Sequence, residues 1–172
     1  MNCQNCGAPM QLFREKDYYF CEYCGTFYFP EPNLDGVRSL HEVAEGLSCP
    51  VCRGPLVYAA LDWVRGYHCE KCKGVLMNRI LLGDLIDYRR ARAKGPSAPP
   101  IPLNQAELKR NVICPRCGQK METHPYYGPG NIVIDTCGSC NLIWLDFGEL
   151  RQVVDAPGRD RGEEYNKKPI ED

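Results

Sequence analysis

The chain has 172 residues, 44% of them hydrophobic and 25% charged, with a formal net charge of −1, ordinary values for a folded soluble protein. The small net charge argues against indiscriminate nucleic-acid binding, and the longest apolar run, Leu56 to Leu61, is far too short for a bilayer core of about 30 Å. The start, Met1-Asn2-Cys3-Gln4-Asn5-Cys6, lacks the basic leader, apolar core and cleavage site of a secretory signal, so a cytoplasmic protein without membrane contact is expected.

Punctuation by cysteine organises the chain. All twelve cysteines fall in C-x-x-C pairs, and the pairs group into three quartets. The first is Cys3, Cys6, Cys21 and Cys24, with 14 residues between its pairs. Met10 to Phe13 and Tyr18 to Phe20 flank the polar turn Glu15-Lys16-Asp17 and predict a β-hairpin. Phe27-Tyr28-Phe29 would add a third strand, and Asp35 would precede a helix through Val37, Leu40 and Val43.

The second quartet is Cys49, Cys52, Cys69 and Cys72, with 16 residues between pairs. Here Leu56 to Ala60 and Val64 to His68 predict the hairpin, and Val75-Leu76-Met77 the third strand. Asn78 can cap a helix from about Arg79 to Ala93, with Leu81, Leu82, Leu85 and Ile86 as its apolar stripe. Lys94 to Pro102, rich in proline, predicts a semi-rigid linker.

The third quartet is Cys114, Cys117, Cys137 and Cys140, with 19 residues between pairs. Glu122 to Tyr127, the turn Gly128-Pro129-Gly130-Asn131 and Ile132 to Thr136 predict its hairpin, with Ile143-Trp144-Leu145 as third strand. Asp146 and Glu149 have capping-box spacing, which predicts a helix burying Leu150, Val153 and Val154. The expected organisation is therefore residues 1–45, ribbon plus helix; 46–94, ribbon plus basic-ended helix; 95–110, connector; 111–157, ribbon plus helix; and 158–172, a charged tail. The fold class is small zinc-stabilised α+β: three tandem ribbons of three antiparallel strands and two knuckles, each followed by a short helix.

The chemistry follows from size. Modules of this length seldom hold together on an apolar core alone. Four thiolates around zinc supply an apparent 10–16 kcal/mol, roughly, which becomes folding free energy. Reduced cytosolic thiols favour metal over disulfides, and the spacings lie at or near the 15–20 residues, roughly, of the four-cysteine zinc template. Four cysteines fill a tetrahedral ion and leave no position for water or substrate, so three structural zinc ions per chain are expected, and no catalysis at them. A single iron in each quartet is the competing metal.

The third module resembles the transcription factor IIB-type zinc-ribbon family. Cys114-Pro115-Arg116-Cys117-Gly118 and the run Cys137-Gly138-Ser139-Cys140-Asn141-Leu142-Ile143-Trp144-Leu145-Asp146-Phe147-Gly148-Glu149-Leu150 carry the likeness, the latter matching a W-L-D-x-G-E-L tail. The second module is similar in its cysteines and Pro50 but has Leu76-Met77-Asn78 where the tail has W-L-D. The first shares little beyond cysteines, a following glycine and an aromatic strand. The resemblance implies the fold and four cysteines per zinc, and it transfers no activity.

Four thiolates on one zinc add −2, and only residues 46–94, at +5 before metal, then stay positive. Arg89, Arg90, Arg92 and Lys94 are the expected contact for nucleic acid or an acidic partner; a solvated helix end is the alternative. Tyr126 and Tyr127 are candidates for an exposed hairpin tip that meets a partner. Trp63 and Trp144 could stack bases, although packing on the ribbon is expected for Trp144, and a structural role for His68. No catalytic motif is present. A non-enzymatic adaptor is expected, binding protein in preference to nucleic acid, with transcription one process it could serve. The alternative is a redox- or metal-responsive protein that releases zinc on oxidation.

Overall fold

A computed structural model describes residues 1–158. The tail expected at 158–172 therefore lies, beyond Gly158, outside the described residues. Ten strands and two α-helices form two sheets. Strands β1 (Gln11–Phe13), β2 (Tyr18–Phe20) and β3 (Phe27–Tyr28) make a small antiparallel sheet in the order β1-β2-β3. The polar turn between β1 and β2 closes through Asp17, which takes a left-handed conformation at φ 55°.

The other seven strands form one sheet. They are β4 (Arg38–Ser48), β5 (Pro55–Leu61), β6 (Val64–His68), β7 (Val75–Asn78), β8 (Glu122–Pro125), β9 (Val133–Cys137) and β10 (Leu142–Leu145), in the order β4-β5-β6-β7-β10-β9-β8. The second and third ribbons are thus joined edge to edge through β7 and β10, with Val75 opposite Leu145, Leu76 opposite Trp144 and Met77 opposite Ile143.

Alternation along these strands sorts side chains to two faces. Val75, Met77, Ile143 and Leu145 face the layer of helices α1 (Arg79–Arg92) and α2 (Glu149–Asp155), packing with Leu82, Leu85, Ile86, Leu150 and Val153. Leu76, Leu142 and Trp144 point the other way, into a core shared with Cys49, Cys69, Cys114 and Cys137. Both faces of the joint are covered, by helices on one side and cysteine clusters on the other. Trp144 is fully buried there, so it is a packing residue and no base-stacking platform. Gly74 makes room for it: a Cβ on Gly74 would lie 2.2 Å from the Trp144 ring.

Two expected features are corrected. The helix through Val37, Leu40 and Val43 is the strand β4, so a helix follows the second and third ribbons but not the first. His41 and Gly46 take left-handed conformations at φ 53° and 76°, and the pairing of β4 with β5 shifts register twice. Such bulges insert extra residues, so the buried Val37, Leu40 and Ala44 recur at helix-like spacing in extended chain. β4 also crosses the boundary expected between residues 45 and 46.

Second, Asp146 does not cap α2 with its side chain. Glu149 does reach back to the Asp146 N–H (2.6 Å), which is half of a capping box. The Asp146 carboxylate instead accepts from Trp144 Nε1 (2.8 Å) and pairs with Arg110. The cap of α2 comes from the first module. Asp35, buried, accepts from the N–H groups of Gly148 (2.7 Å) and Arg151 (3.1 Å). By contrast, α1 starts as its sequence predicts, with Asn78 accepting from the Ile80 N–H (2.8 Å).

Further contacts fasten ribbon 1 to the rest. The Tyr19 hydroxyl donates to the Leu40 carbonyl, Arg14 pairs with Glu42 and lies over the Tyr58 ring at 4.2 Å, and Arg65 pairs with Asp17 at 3.2 Å. Residues 94–106 contain no helix or strand and lead to a short 3-10 turn at Glu107–Lys109. This connector is tied down, with Ala98 N–H donating to the Asp155 carbonyl (2.7 Å) and Asn131 to the Ile101 carbonyl (3.0 Å).

Candidate metal centres

Each quartet brings its four sulfurs to within 4.8 Å of one another. Closest approaches are Cys6–Cys21 3.5 Å and Cys3–Cys24 3.6 Å in the first, Cys52–Cys69 3.4 Å and Cys49–Cys72 3.5 Å in the second, and Cys117–Cys137 3.6 Å in the third. A tetrahedron with zinc–sulfur bonds of about 2.3 Å has edges of about 3.8 Å, so these clusters fit the ion closely. The separations are far above the 2.05 Å, roughly, of a disulfide, and all twelve cysteines are free. In each case the pairs assemble in sequence order, as ribbons rather than an interleaved brace.

The knuckles show how local sequence places the sulfurs. After the first cysteine the chain turns back, as in Gly7 N–H to the Cys3 carbonyl (2.9 Å) and Lys73 N–H to the Cys69 carbonyl (2.8 Å). The residue following the second cysteine is left-handed in all six knuckles: Gly7, Gly25, Arg53, Lys73, Gly118 and Asn141. The glycines announce this requirement in the sequence. Arg53, Lys73 and Asn141 do not, although each occupies the same place after its pair.

Electrostatics explain why a cation belongs in the clusters. Cys24 is held down to about 6, first by the Thr26 hydroxyl that donates to its sulfur (3.2 Å). The backbone N–H of Gly54 draws Cys52 down to about 7, and that of Gln119 does the same for Cys117. The partners move the other way: burial pushes Cys49 up to about 11, and the neighbouring Cys117 sulfur pushes Cys140 up to about 12. Each cluster holds at least one sulfur that ionises readily and one that resists joining it, until a divalent ion compensates the charge. The first cluster is the most open, with Cys6 and Cys24 both exposed.

Behind the third cluster, Arg110 bridges Asp135, which is fully buried, and Asp146. Thr123 donates a further hydrogen bond to Asp135. This network ties hairpin, third strand and helix start together. No motif in the sequence singled it out.

The candidate contact residues are placed differently from one another. Arg90 is 0% exposed and donates to the carbonyls of Val153 (2.7 Å) and Ala156 (2.8 Å) at the end of α2. Arg89 pairs with Asp62 at 2.8 Å and donates to the carbonyls of Asp35 and Gly36. Arg90 serves the interior, contrary to the expected surface role, whereas Arg89 is held by these contacts and still lines the cleft beside Arg92 and Lys94. A run of cations at a helix end is also what a docked neighbouring helix terminus requires, and sequence cannot separate these uses. Arg92 lies over the Tyr88 ring at 3.7 Å, and it and Lys94 are exposed beside a cleft of about 500 Å³ that Arg38 also lines. At the third hairpin tip, Tyr127 is 90% exposed and stacks on His124, whereas Tyr126 packs toward the helical core. His68 is buried, and its desolvation lowers its pKa.

Four-sulfur clusters on paired knuckles, each followed by a third strand, define a zinc-ribbon protein. Residues 113–156, the third module, match the family model described as a transcription factor zinc-finger, the IIB type. No curated protein and no solved structure gives a match. Among the described residues, no helix is long and apolar enough to cross a membrane.

Proposed function

We propose that this chain is a non-enzymatic adaptor that holds three structural zinc ions and presents its ribbon surfaces to partners, protein above nucleic acid. The observation that carries this is the closure of the clusters. Twelve cysteines make three complete tetrahedral sets, so a bound ion has no coordination position left for substrate. Work would then fall to the outside of the ribbons. The family matched by residues 113–156 supports a transcription-related setting.

A tagged pull-down from the native host, split into nuclease-treated and untreated halves, tests the proposal. Protein partners that survive nuclease are the expected result. Partners that vanish with nuclease would shift the role to nucleic acid, through the surface of Arg38, Arg92 and Lys94. Capture of nothing by zinc-loaded protein would sink the adaptor.

A second function draws on one observation, the exposure of Cys6 and of Cys24, whose sulfur ionises readily. A redox-responsive protein would shed the first zinc under mild oxidant and keep the other two. Retention of all three metals removes that alternative.

A further inference from the structure

The small sheet of ribbon 1 has two unlike faces. Leu12, Tyr19 and Tyr28 alternate onto one, and Tyr19 is buried against β4. Phe13, Tyr18, Phe20, Phe27 and Phe29 alternate onto the other. Their rings form one continuous array: Phe13–Tyr18 at 5.3 Å, Tyr18–Phe27 at 5.4 Å, Phe20–Phe27 at 4.8 Å, Tyr18–Phe29 at 5.4 Å and Phe27–Phe29 at 6.3 Å. Phe13 is 37% exposed, Phe27 52% and Phe29 62%. Lone exposed apolar residues need no explanation, but a contiguous aromatic patch on a folded surface marks a contact site.

Charge chooses the occupant. Residues 1–34 carry two basic side chains, Arg14 and Lys16, against four acidic ones, Glu15, Asp17, Glu22 and Glu31. Arg14 is engaged with Glu42, and Asp17 with Arg65. That leaves Lys16 against Glu15, Glu22 and Glu31 within this segment; the cleft that Phe29 lines adds Glu70 and Lys73, which offset each other, and a zinc with four thiolates adds −2 at the end of the same sheet. Such a field repels phosphate and attracts cations, so single-stranded nucleic acid is disfavoured despite the stacked rings. Arginine and lysine side chains, by contrast, gain from both the ring faces and the acidic excess of this module. The 6.3 Å between the Phe27 and Phe29 rings is also close to the spacing of about 6.6 Å between same-side residues of an extended chain.

We infer that the aromatic face of ribbon 1 is a docking surface for an extended, cationic polypeptide segment whose arginine or lysine side chains lie over the rings. This deepens the adaptor proposal and rests on it for its biological setting. The test is fluorescence anisotropy on the zinc-loaded full chain. Its probes are a labelled peptide of alternating arginine and proline, the same peptide with glutamate for arginine, and an oligothymidylate of similar length. The arginine peptide is expected to bind best and to weaken at high salt. Phe27→Ala with Phe29→Ala is expected to weaken it at least about tenfold, while Phe27→Tyr with Phe29→Tyr retains binding. Phe29→Ala alone, at the most exposed ring, gives a smaller loss and serves if the double variant fails to hold zinc.

No binding of the arginine peptide to the wild-type chain overturns the inference. So does preference for the glutamate peptide or oligothymidylate, or unchanged binding in the alanine variants. The pull-down separates this failure from that of the adaptor. Nuclease-resistant partners still captured by the alanine variant leave the adaptor standing without this surface. No partners at all, with peptide binding still dependent on Phe27 and Phe29, leave the surface standing without the adaptor.

Discussion

Asp35, Arg90 and Glu149 are buried titratable residues, all engaged with the two ends of α2. At Glu149, burial pushes the carboxyl up to about 8. An unfolded glutamate titrates near 4.3, roughly, so folding takes up a proton between these two values. The stability this supplies is present at acid pH and lost as pH rises toward about 8. Glu149→Gln keeps an acceptor for the Asp146 N–H and removes the ionisation. It is expected to flatten the decline and to exceed wild-type stability above pH 8, roughly, by on the order of 2 kcal/mol, as read by urea unfolding of zinc-loaded protein. Residue chemistry was unevenly legible here. The cysteines declared themselves by spacing, whereas Arg90 sits in a basic run that reads equally well as a surface.

For the strands and helices, every hairpin and third strand was legible, because turn residues and alternation are local signals. The helix expected after ribbon 1 was not, because a twice-bulged strand spaces its buried residues as a helix does. Asp35 was read only as preceding a local helix, and the helix it caps lies more than a hundred residues further on. Asp35→Ala should uncap α2 and loosen ribbon 1, costing about 1–3 kcal/mol, with earlier amide exchange in α2 than in α1. Gly74 decides how closely β7 and β10 approach. Gly74→Ala would drive a methyl into the Trp144 ring and should cost about 1–3 kcal/mol or more, visible as a lower urea midpoint and an altered tryptophan emission.

Seen whole, the molecule is less like beads on linkers than its cysteine spacing suggested. Ribbons 2 and 3 share one sheet and two cores, while ribbon 1 keeps a sheet of its own and attaches by β4, Asp35 and Arg14. No local pattern encodes this, since β7 and β10 meet across the long gap between the second and third quartets. Metal removal should follow the same division. A chelator titration followed by native mass spectrometry is expected to pass from three zincs to a plateau at two, with ribbon 1 emptied first and the seven-stranded sheet intact. Simultaneous loss of all three would contradict the division.

The register of β7 against β10 has a consequence of its own. Counted from the last cysteine of each quartet, Leu76 and Trp144 hold equivalent positions and face each other; Val75 meets Leu145, and Met77 meets Ile143, the same pair with roles exchanged. This is the self-complementary pattern of an isologous homodimer, written into one polypeptide about a local two-fold axis. Tethering makes the association independent of concentration, and it lets the halves diverge, so that the indole of Trp144 can fill space that Gly74 vacates. A lone ribbon 3, cut at residue 111, would expose β10 as an open edge, and Leu142, where ribbon 2 has Gly74, would bar it from pairing with a second copy in this register.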